Sequence, residues 1–212
     1  MDRLDYDGII FDLDGTLWDA TGVNKEAWDR AYEEMGYGKS MVTDEEFKSC
    51  MGMLIPDIAR KIHPDIEADR LDDFIDHCIE IEHKMLNEKG GILYEGFYET
   101  LSALSKRHKL CVVSNCQAGY IEIFLKVHKA EDFFVDIECP GNTGLLKADN
   151  IKLITKRNNF KNPVYVGDTL GDMNSAHEAG VPFIWASYGF GTDILGYEHK
   201  IDSLVELDKI LL

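Results

Sequence analysis

The stretch Gly8-Ile9-Ile10-Phe11-Asp12-Leu13-Asp14-Gly15-Thr16-Leu17 constrains the fold most, because an unbroken apolar run stops abruptly on two acids. Ile9 to Phe11 are large, apolar and consecutive, which predicts a strand covered on both faces in a parallel sheet, and Gly15 supplies the turn that ends it. Side chains two apart on an extended chain point the same way, so Asp12 and Asp14 face one spot while Leu13 turns back to the core. In open α/β sheets the carboxyl ends of strands are where ligands bind. Two like charges this close are costly unless a cation sits between them or one acid keeps its proton. Taken alone, Asp-Leu-Asp-Gly also fits a turn or helix cap, so the rest of the chain has to decide.

After Leu17 the pattern is helical until about Gly90. Ala27, Ala31 and Met35 recur at helical spacing from an expected cap at Asn24, and Gly36-Tyr37-Gly38 ends that helix. Thr43 and Glu46 stand in capping-box register, and Pro56 falls in the first turn of a segment from Ile55 to Ile62. Leu71, Phe74, Ile75, Cys78, Ile79, Met85 and Leu86 form the stripe of a long amphipathic helix, with Asp72, Asp73, Asp76, Glu80 and Glu82 expected on its solvated faces. A parallel crossover needs only about a dozen residues and one helix, so these helices exceed what the sheet requires. Leaving beside the acidic strand end and returning through Lys89-Gly90-Gly91, the segment reads as a lid.

Beyond Phe97, helices and strands alternate. Strands are expected at Leu110–Val113, Phe133–Ile137, Val164–Val166 and Phe183–Trp185, with helices at Phe97–Leu104, Tyr120–His128, Ala148–Asn158 and Asp172–Ala179 and from Leu204. The expected fold is α/β, a doubly wound, Rossmann-like parallel sheet made by residues 1–17 and 91–212, with a small α-helical cap, 18–90, inserted after the first strand.

Charge narrows the partners: 39 acidic against 22 basic side chains give a formal net charge of -17, which repels nucleic acid backbones and anionic membranes. No apolar run approaches the ~20 residues of a membrane span, and the start Met1-Asp2-Arg3-Leu4-Asp5 lacks a basic-then-apolar leader. A cytoplasmic protein is expected, as monomer or homodimer. Five cysteines without a Cys-x-x-Cys spacing are expected to be reduced, Cys116 among them as a bystander, and the seven histidines form no His-x-x-x-His pair.

Three further polar clusters follow the same logic. Val112-Val113 runs into Ser114-Asn115, Val164-Tyr165-Val166 runs into Gly167-Asp168-Thr169-Leu170-Gly171-Asp172, and Lys147 stands at the head of a helix. In this order they resemble the haloacid dehalogenase superfamily along nearly the whole chain. Phe11 to Leu17 looks like its first motif, Asp-x-Asp-Gly-Thr; Ser114-Asn115 resembles the second, Lys147 the third, and Gly167-Asp168-Thr169-x-x-Asp172 the fourth. The insertion is similar to the helical cap of the branch that includes phosphoglycolate phosphatase and β-phosphoglucomutase. Lys147-Ala148 departs from the frequent Lys-Pro of the third motif.

The resemblance implies a Mg²⁺-dependent phosphatase acting on a small phosphorylated metabolite, of the phosphoglycolate or sugar phosphate type. Asp12 would be the nucleophile that forms an aspartyl phosphate, and Asp14 the proton carrier. Lys147 would neutralise charge, and Thr16, Ser114 and Asn115 would bind substrate. Mg²⁺ would be held by the Asp12 carboxylate, the Asp14 backbone carbonyl and the Asp168 carboxylate, with Asp172 either a ligand, a group behind the ligands or a helix cap.

Rival readings differ at particular residues. Haloacid dehalogenases proper lack the second acid, so Asp14 argues against them. A Schiff-base phosphonatase would need a cap lysine among Lys25, Lys39 and Lys48, each of which reads as an ordinary surface lysine. A phosphosugar mutase uses the same four motifs but carries a cap-loop arginine, absent from Cys50-Met51-Gly52-Met53-Leu54. A receiver-like module would have no helical insertion and no acid two residues after the nucleophile, and a non-catalytic phosphate-binding module would have lost at least one motif, whereas none is missing. Cap loops Gly36–Lys39 and Met51–Leu54 are expected to face the site.

Overall fold

In the computed structural model, which describes residues 5–211, the first apolar run becomes a strand buried along its whole length. The chain start from Met1 to Leu4, on which the leader expectation rests, lies outside the described residues. The strands are β1 (Gly8–Phe11), β2 (Trp18–Asp19), β3 (Ile92–Leu93), β4 (Lys109–Val113), β5 (Phe134–Glu138), β6 (Pro163–Gly167), β7 (Phe183–Ala186) and β8 (His199–Ile201). Six of them form one parallel sheet in the order β5-β4-β1-β6-β7-β8. Chain order runs outward from β1 to β5 on one side and from β6 to β8 on the other. The crevice beyond the ends of β1 and β6 is therefore a topological switch point, the place where doubly wound sheets bind ligands.

The helices are α1 (Thr21–Glu34), α2 (Asp44–Lys48), α3 (Ile55–Ile62), α4 (Leu71–Lys89), α5 (Phe97–Leu104), α6 (Tyr120–Val127), α7 (Pro140–Thr143), α8 (Lys147–Arg157), α9 (Leu170–Glu178) and α10 (Leu207–Leu211). Alternation along β1 sends Ile9 and Phe11 into one apolar layer, with α5, α6 and α10, and Ile10 into the other, with α8 and α9. Burial on both faces explains why this strand shows no polar alternation. Helices α1 to α4 enclose an apolar cluster of their own, in which the Trp28 ring meets Phe47 and Phe74 edge-on at 5.8 and 5.9 Å. Such ring pairs add about 0.5–1.5 kcal/mol each beyond area burial. Both crossings of the chain between the helical cluster and the sheet pass through one antiparallel ribbon, with Trp18 paired to Leu93 and Asp19 to Ile92.

Several local expectations change. Asn24 is not a cap: α1 begins at Thr21, whose backbone N–H and hydroxyl both donate to Asp19 Oδ1 (2.9 and 2.5 Å), and Asn24 lies inside the helix on its buried face. Glu82 is not solvated but buried, at 5% exposure, within the apolar stripe of α4. Helix α9 starts two residues before Asp172, because Thr169 caps it. The β2–β3 ribbon, α7 and β8 are too short for a periodic pattern to show in the sequence. The Thr43–Glu46 capping box and Pro56 in the first turn of α3 stand at the positions that the sequence predicts. No helix among the described residues is long and apolar enough to cross a membrane.

Candidate active site

The first motif leaves β1 as a tight turn. The Asp12 N–H donates to the Val166 carbonyl (2.8 Å), extending the pairing with β6 one residue past the strand, and Gly15 then takes φ +85°. A side chain at Gly15 would be strained there and would also stand 2.3 Å from Asp168 Oδ2, so glycine is what lets the fourth motif close over the first. The two acids diverge from this turn. Asp12 is 2% exposed and its Oδ1 accepts from Lys147 Nζ at 2.8 Å. Asp14, half-buried, accepts at Oδ1 from the Tyr120 hydroxyl (2.9 Å), which itself accepts from Asn24 Nδ2 (2.8 Å).

Lys147, at the first position of α8 and 3% exposed, joins Asp12 to Asp172, whose Oδ1 lies 2.5 Å from its ammonium. Asp172 does two jobs at once. While Oδ1 meets Lys147, Oδ2 accepts from the Thr169 N–H (2.9 Å) and hydroxyl (2.6 Å) in a capping box. Asp168 follows β6 and is fully buried; the Phe190 N–H donates to its Oδ2 (2.6 Å) and the Thr16 hydroxyl to its Oδ1 (3.5 Å). Thr16 thus reaches a carboxylate of the cluster. Ser114 and Asn115 line the same cavity as Asp12 and Asp14, and Asn115 Nδ2 donates to the Gly52 carbonyl (2.9 Å) in the helical insertion.

Asp12, Asp168 and Asp172 offer carboxylate oxygens within 4.8 Å of one another. Three carboxylates facing one ammonium leave an excess of two negative charges in a buried space of hard oxygen donors. That is the setting of a divalent cation such as Mg²⁺, so these residues fit the ion that the sequence implies. Electrostatics agree. Burial pushes the Asp12 carboxyl up to about 6, with the Asp172 charge adding and Lys147 opposing. Burial and the Asp12 charge hold Asp14 well above the usual carboxylate range against the Tyr120 hydrogen bond, and burial with Asp172 and Asp12 does the same to Asp168. Burial pulls the Lys147 ammonium down, but Asp12 and Asp172 outweigh it and keep the group charged.

Not every expected contributor reaches the site. The loop Gly36–Lys39 lies elsewhere: the Tyr37 ring stacks on Tyr32 (5.1 Å) and its hydroxyl donates to Glu67, beyond the far end of α1. Met51 and Met53 do line the cavity. The Cys116 thiol lines it too, and burial pushes its pKa well up, as befits a bystander. Tyr120, Asn24, Gln117, Glu82 and the loop after β7 join the site without any signal of that role in the motifs. In that loop Gly189 packs where a Cβ would stand 2.3 Å from Asp168, and Tyr188 donates to the Thr16 carbonyl (2.8 Å). A Gly-Phe-Gly following a predicted strand is the one sequence signal that points to it.

A doubly wound sheet with acids and a lysine gathered at its switch point is the setting of an α/β ligand site. A model of the haloacid dehalogenase-like hydrolases matches residues 9–186. The chain is 28% identical over 199 residues to a phosphoglycolate phosphatase of Photobacterium profundum, covering 86% of this chain and 83% of that one. To a phosphoglycolate phosphatase of Vibrio vulnificus (strain YJ016) it is 27% identical over 224 residues, covering 96% and 95%. Among solved structures, a haloacid dehalogenase-like hydrolase from Bacteroides fragilis shares the fold with a TM-score of 0.86 at 24% identity, over 96% of this chain and 100% of that chain. CbbY from Rhodobacter sphaeroides, in complex with xylulose-(1,5)bisphosphate, does so with a TM-score of 0.82 at 18% identity, over 98% and 100%. The chain belongs to the haloacid dehalogenase-like hydrolase family.

Proposed function

We propose that this phosphatase of the haloacid dehalogenase-like family hydrolyses the monoester of a small phosphorylated metabolite, with Mg²⁺, through an aspartyl phosphate on Asp12. The observation that carries the reading is the Asp12–Lys147–Asp172 bridge set against Asp168 in a buried pocket. Phosphate monoesters are among the slowest substrates to hydrolyse unaided, needing enhancements up to ~10²¹-fold, so a nucleophile, an acid and charge neutralisation must act together.

Asp12 attacks phosphorus in line and divides one difficult displacement into two easier ones. Asp14, on the same cavity but held by Tyr120 rather than Lys147, gives a proton to the departing alcohol and later takes one from the water that hydrolyses the acyl phosphate. Lys147 holds the nucleophile in place and offsets phosphoryl charge, while Ser114 and the Asn115 N–H donate to the phosphoryl oxygens. Thr16 orients Asp168. Asp12, Asp168, the Asp14 carbonyl and, directly or through water, Asp172 would hold Mg²⁺, which supplies the charge neutralisation that lets two anions approach.

A mutase would need a cation for a second phosphate. Arg60 is exposed and pairs with Asp57 (3.5 Å), and no basic residue among the described ones lines the cavity. A screen of phosphorylated metabolites with Mg²⁺ tests the reading: phosphate release is expected from wild type and is abolished by chelation and by Asp12→Asn. Undiminished release by that variant would overturn it.

A further inference from the structure

Around the cavity lined by Asp12 and Asp14, several polar side chains end in acceptors that no cation or donor answers. Asn24 Nδ2 is committed to Tyr120 and Asn115 Nδ2 to the Gly52 carbonyl, which fixes each amide with Oδ1 as its free end. Each of these Oδ1 atoms is buried without a hydrogen-bond partner. Glu82, 5% exposed, meets only two neutral donors, Trp28 Nε1 (3.1 Å) and Gln117 Nε2. Among the described residues lining this cavity Asp12, Asp14 and Glu82 are acidic and none is basic. Lys147 is turned to the other side, between Asp12 and Asp172.

Buried acceptors left without donors are costly, about 1–3 kcal/mol each, and at a ligand site they mark where the ligand's own donors go. A buried carboxylate with no cationic partner is costlier still. On the phosphatase reading above, we infer that the alcohol part of the substrate carries hydrogen-bond donors and no negative charge, a small hydroxylated or ammonium-bearing phosphomonoester selected by Glu82, Asn24 and Asn115. An ester with a carboxylate in its alcohol part, such as 2-phosphoglycolate, would set that anion beside Glu82 and Asp14 with no basic side chain to receive it. The cavity is about 50 Å³, room for roughly four water-sized groups, so the alcohol part is small whatever its charge. Burial also pushes the Glu82 carboxyl up to about 7, so it is readily drawn into its ionised form by a cation and readily neutral beside a hydroxyl.

The test compares kcat/KM for glycerol 1-phosphate, phosphoethanolamine and 2-phosphoglycolate, with p-nitrophenyl phosphate as a general phosphatase probe. One or both of the first two should exceed 2-phosphoglycolate at least tenfold, and which one does tells a hydroxyl from an ammonium source. 2-Phosphoglycolate matching both overturns the inference and leaves the phosphatase reading standing. The same three esters titrated into Asp12→Asn with Mg²⁺, followed by tryptophan fluorescence, read the order of binding without turnover. Should no ester be hydrolysed, p-nitrophenyl phosphate included, the phosphatase reading falls, while the binding order still upholds or overturns the subsite. Glu82→Gln should narrow the phosphoethanolamine to 2-phosphoglycolate ratio about tenfold in the binding assay; an unchanged ratio removes Glu82 as the selecting residue.

Discussion

The two sides of the cavity are built on opposite principles. On the sheet side every carboxylate of the cluster has a donor: Lys147 bridges Asp12 and Asp172, Thr169 caps Asp172, and the Phe190 N–H meets Asp168. On the helical side Glu82 meets two neutral donors and no cation, and the Asn24 amide oxygen lacks a donor, as does that of Asn115, which reaches the helical insertion from the end of β4. A saturated, over-determined wall holds atoms still, which is what a reacting centre requires. An unsaturated wall waits for a partner. On the function proposed above, the chemistry belongs to the sheet, and on the further inference the choice of substrate falls chiefly to the inserted helices.

The contrast can be broken from the sheet side first. Asp12→Asn should lower kcat on the order of 10⁴-fold or more, yet its thermal unfolding temperature should hold or rise, because one of three mutually repelling buried carboxylates is gone. Asp14→Asn should cost about 10²–10⁴-fold in kcat for an alkyl phosphate and less for burst release of p-nitrophenol, a leaving group that departs without a proton. Equal losses on both would remove Asp14 as the donor to the leaving group. Lys147→Met leaves Asp12 and Asp172 facing each other unbridged, and urea unfolding should show a loss of about 3–5 kcal/mol.

The helical side gives the smallest effect and a diagnostic sign. Glu82 has its folded pKa raised from 4.5 to about 7 by burial. Between those values the folded protein holds a proton that the unfolded chain has released, so the stability it contributes is fully present below 4.5 and is lost as pH rises through about 7, by at most ~1.4 kcal/mol per pH unit. Glu82→Gln removes this slope, so urea unfolding at pH 5 and pH 7.5 should find the variant gaining on wild type at the higher pH. A constant difference would mean that Glu82 is charged throughout.

What the sequence discloses follows the same division. Asp12, Ser114 and Asp168 each end an apolar run and Lys147 opens a helix, so strand periodicity alone carries them to one crevice. Glu82 reads as solvated from its charge, although it lies four residues after Cys78 and three before Met85, within the buried stripe. Asn24 reads as a cap from its residue type, although it precedes Ala27, Trp28 and Ala31 by three, four and seven residues and so shares their buried face. At both positions residue chemistry and helical spacing point in different directions, and spacing is the better guide. Tyr120 and the loop Tyr188–Gly191 act through contacts 106 and 172 residues away along the chain, which no local pattern encodes beyond the Gly-Phe-Gly of that loop.

The most direct test of the central claim is to trap the acyl phosphate. Wild type and Asp14→Asn, acid-quenched during turnover of p-nitrophenyl phosphate and reduced with borohydride, should yield homoserine at position 12 in peptide mass spectra, with more in the variant because it lacks the base for the second step. Continued turnover with no reduced residue at position 12, or with the reduced residue at another carboxylate's position, would contradict the account.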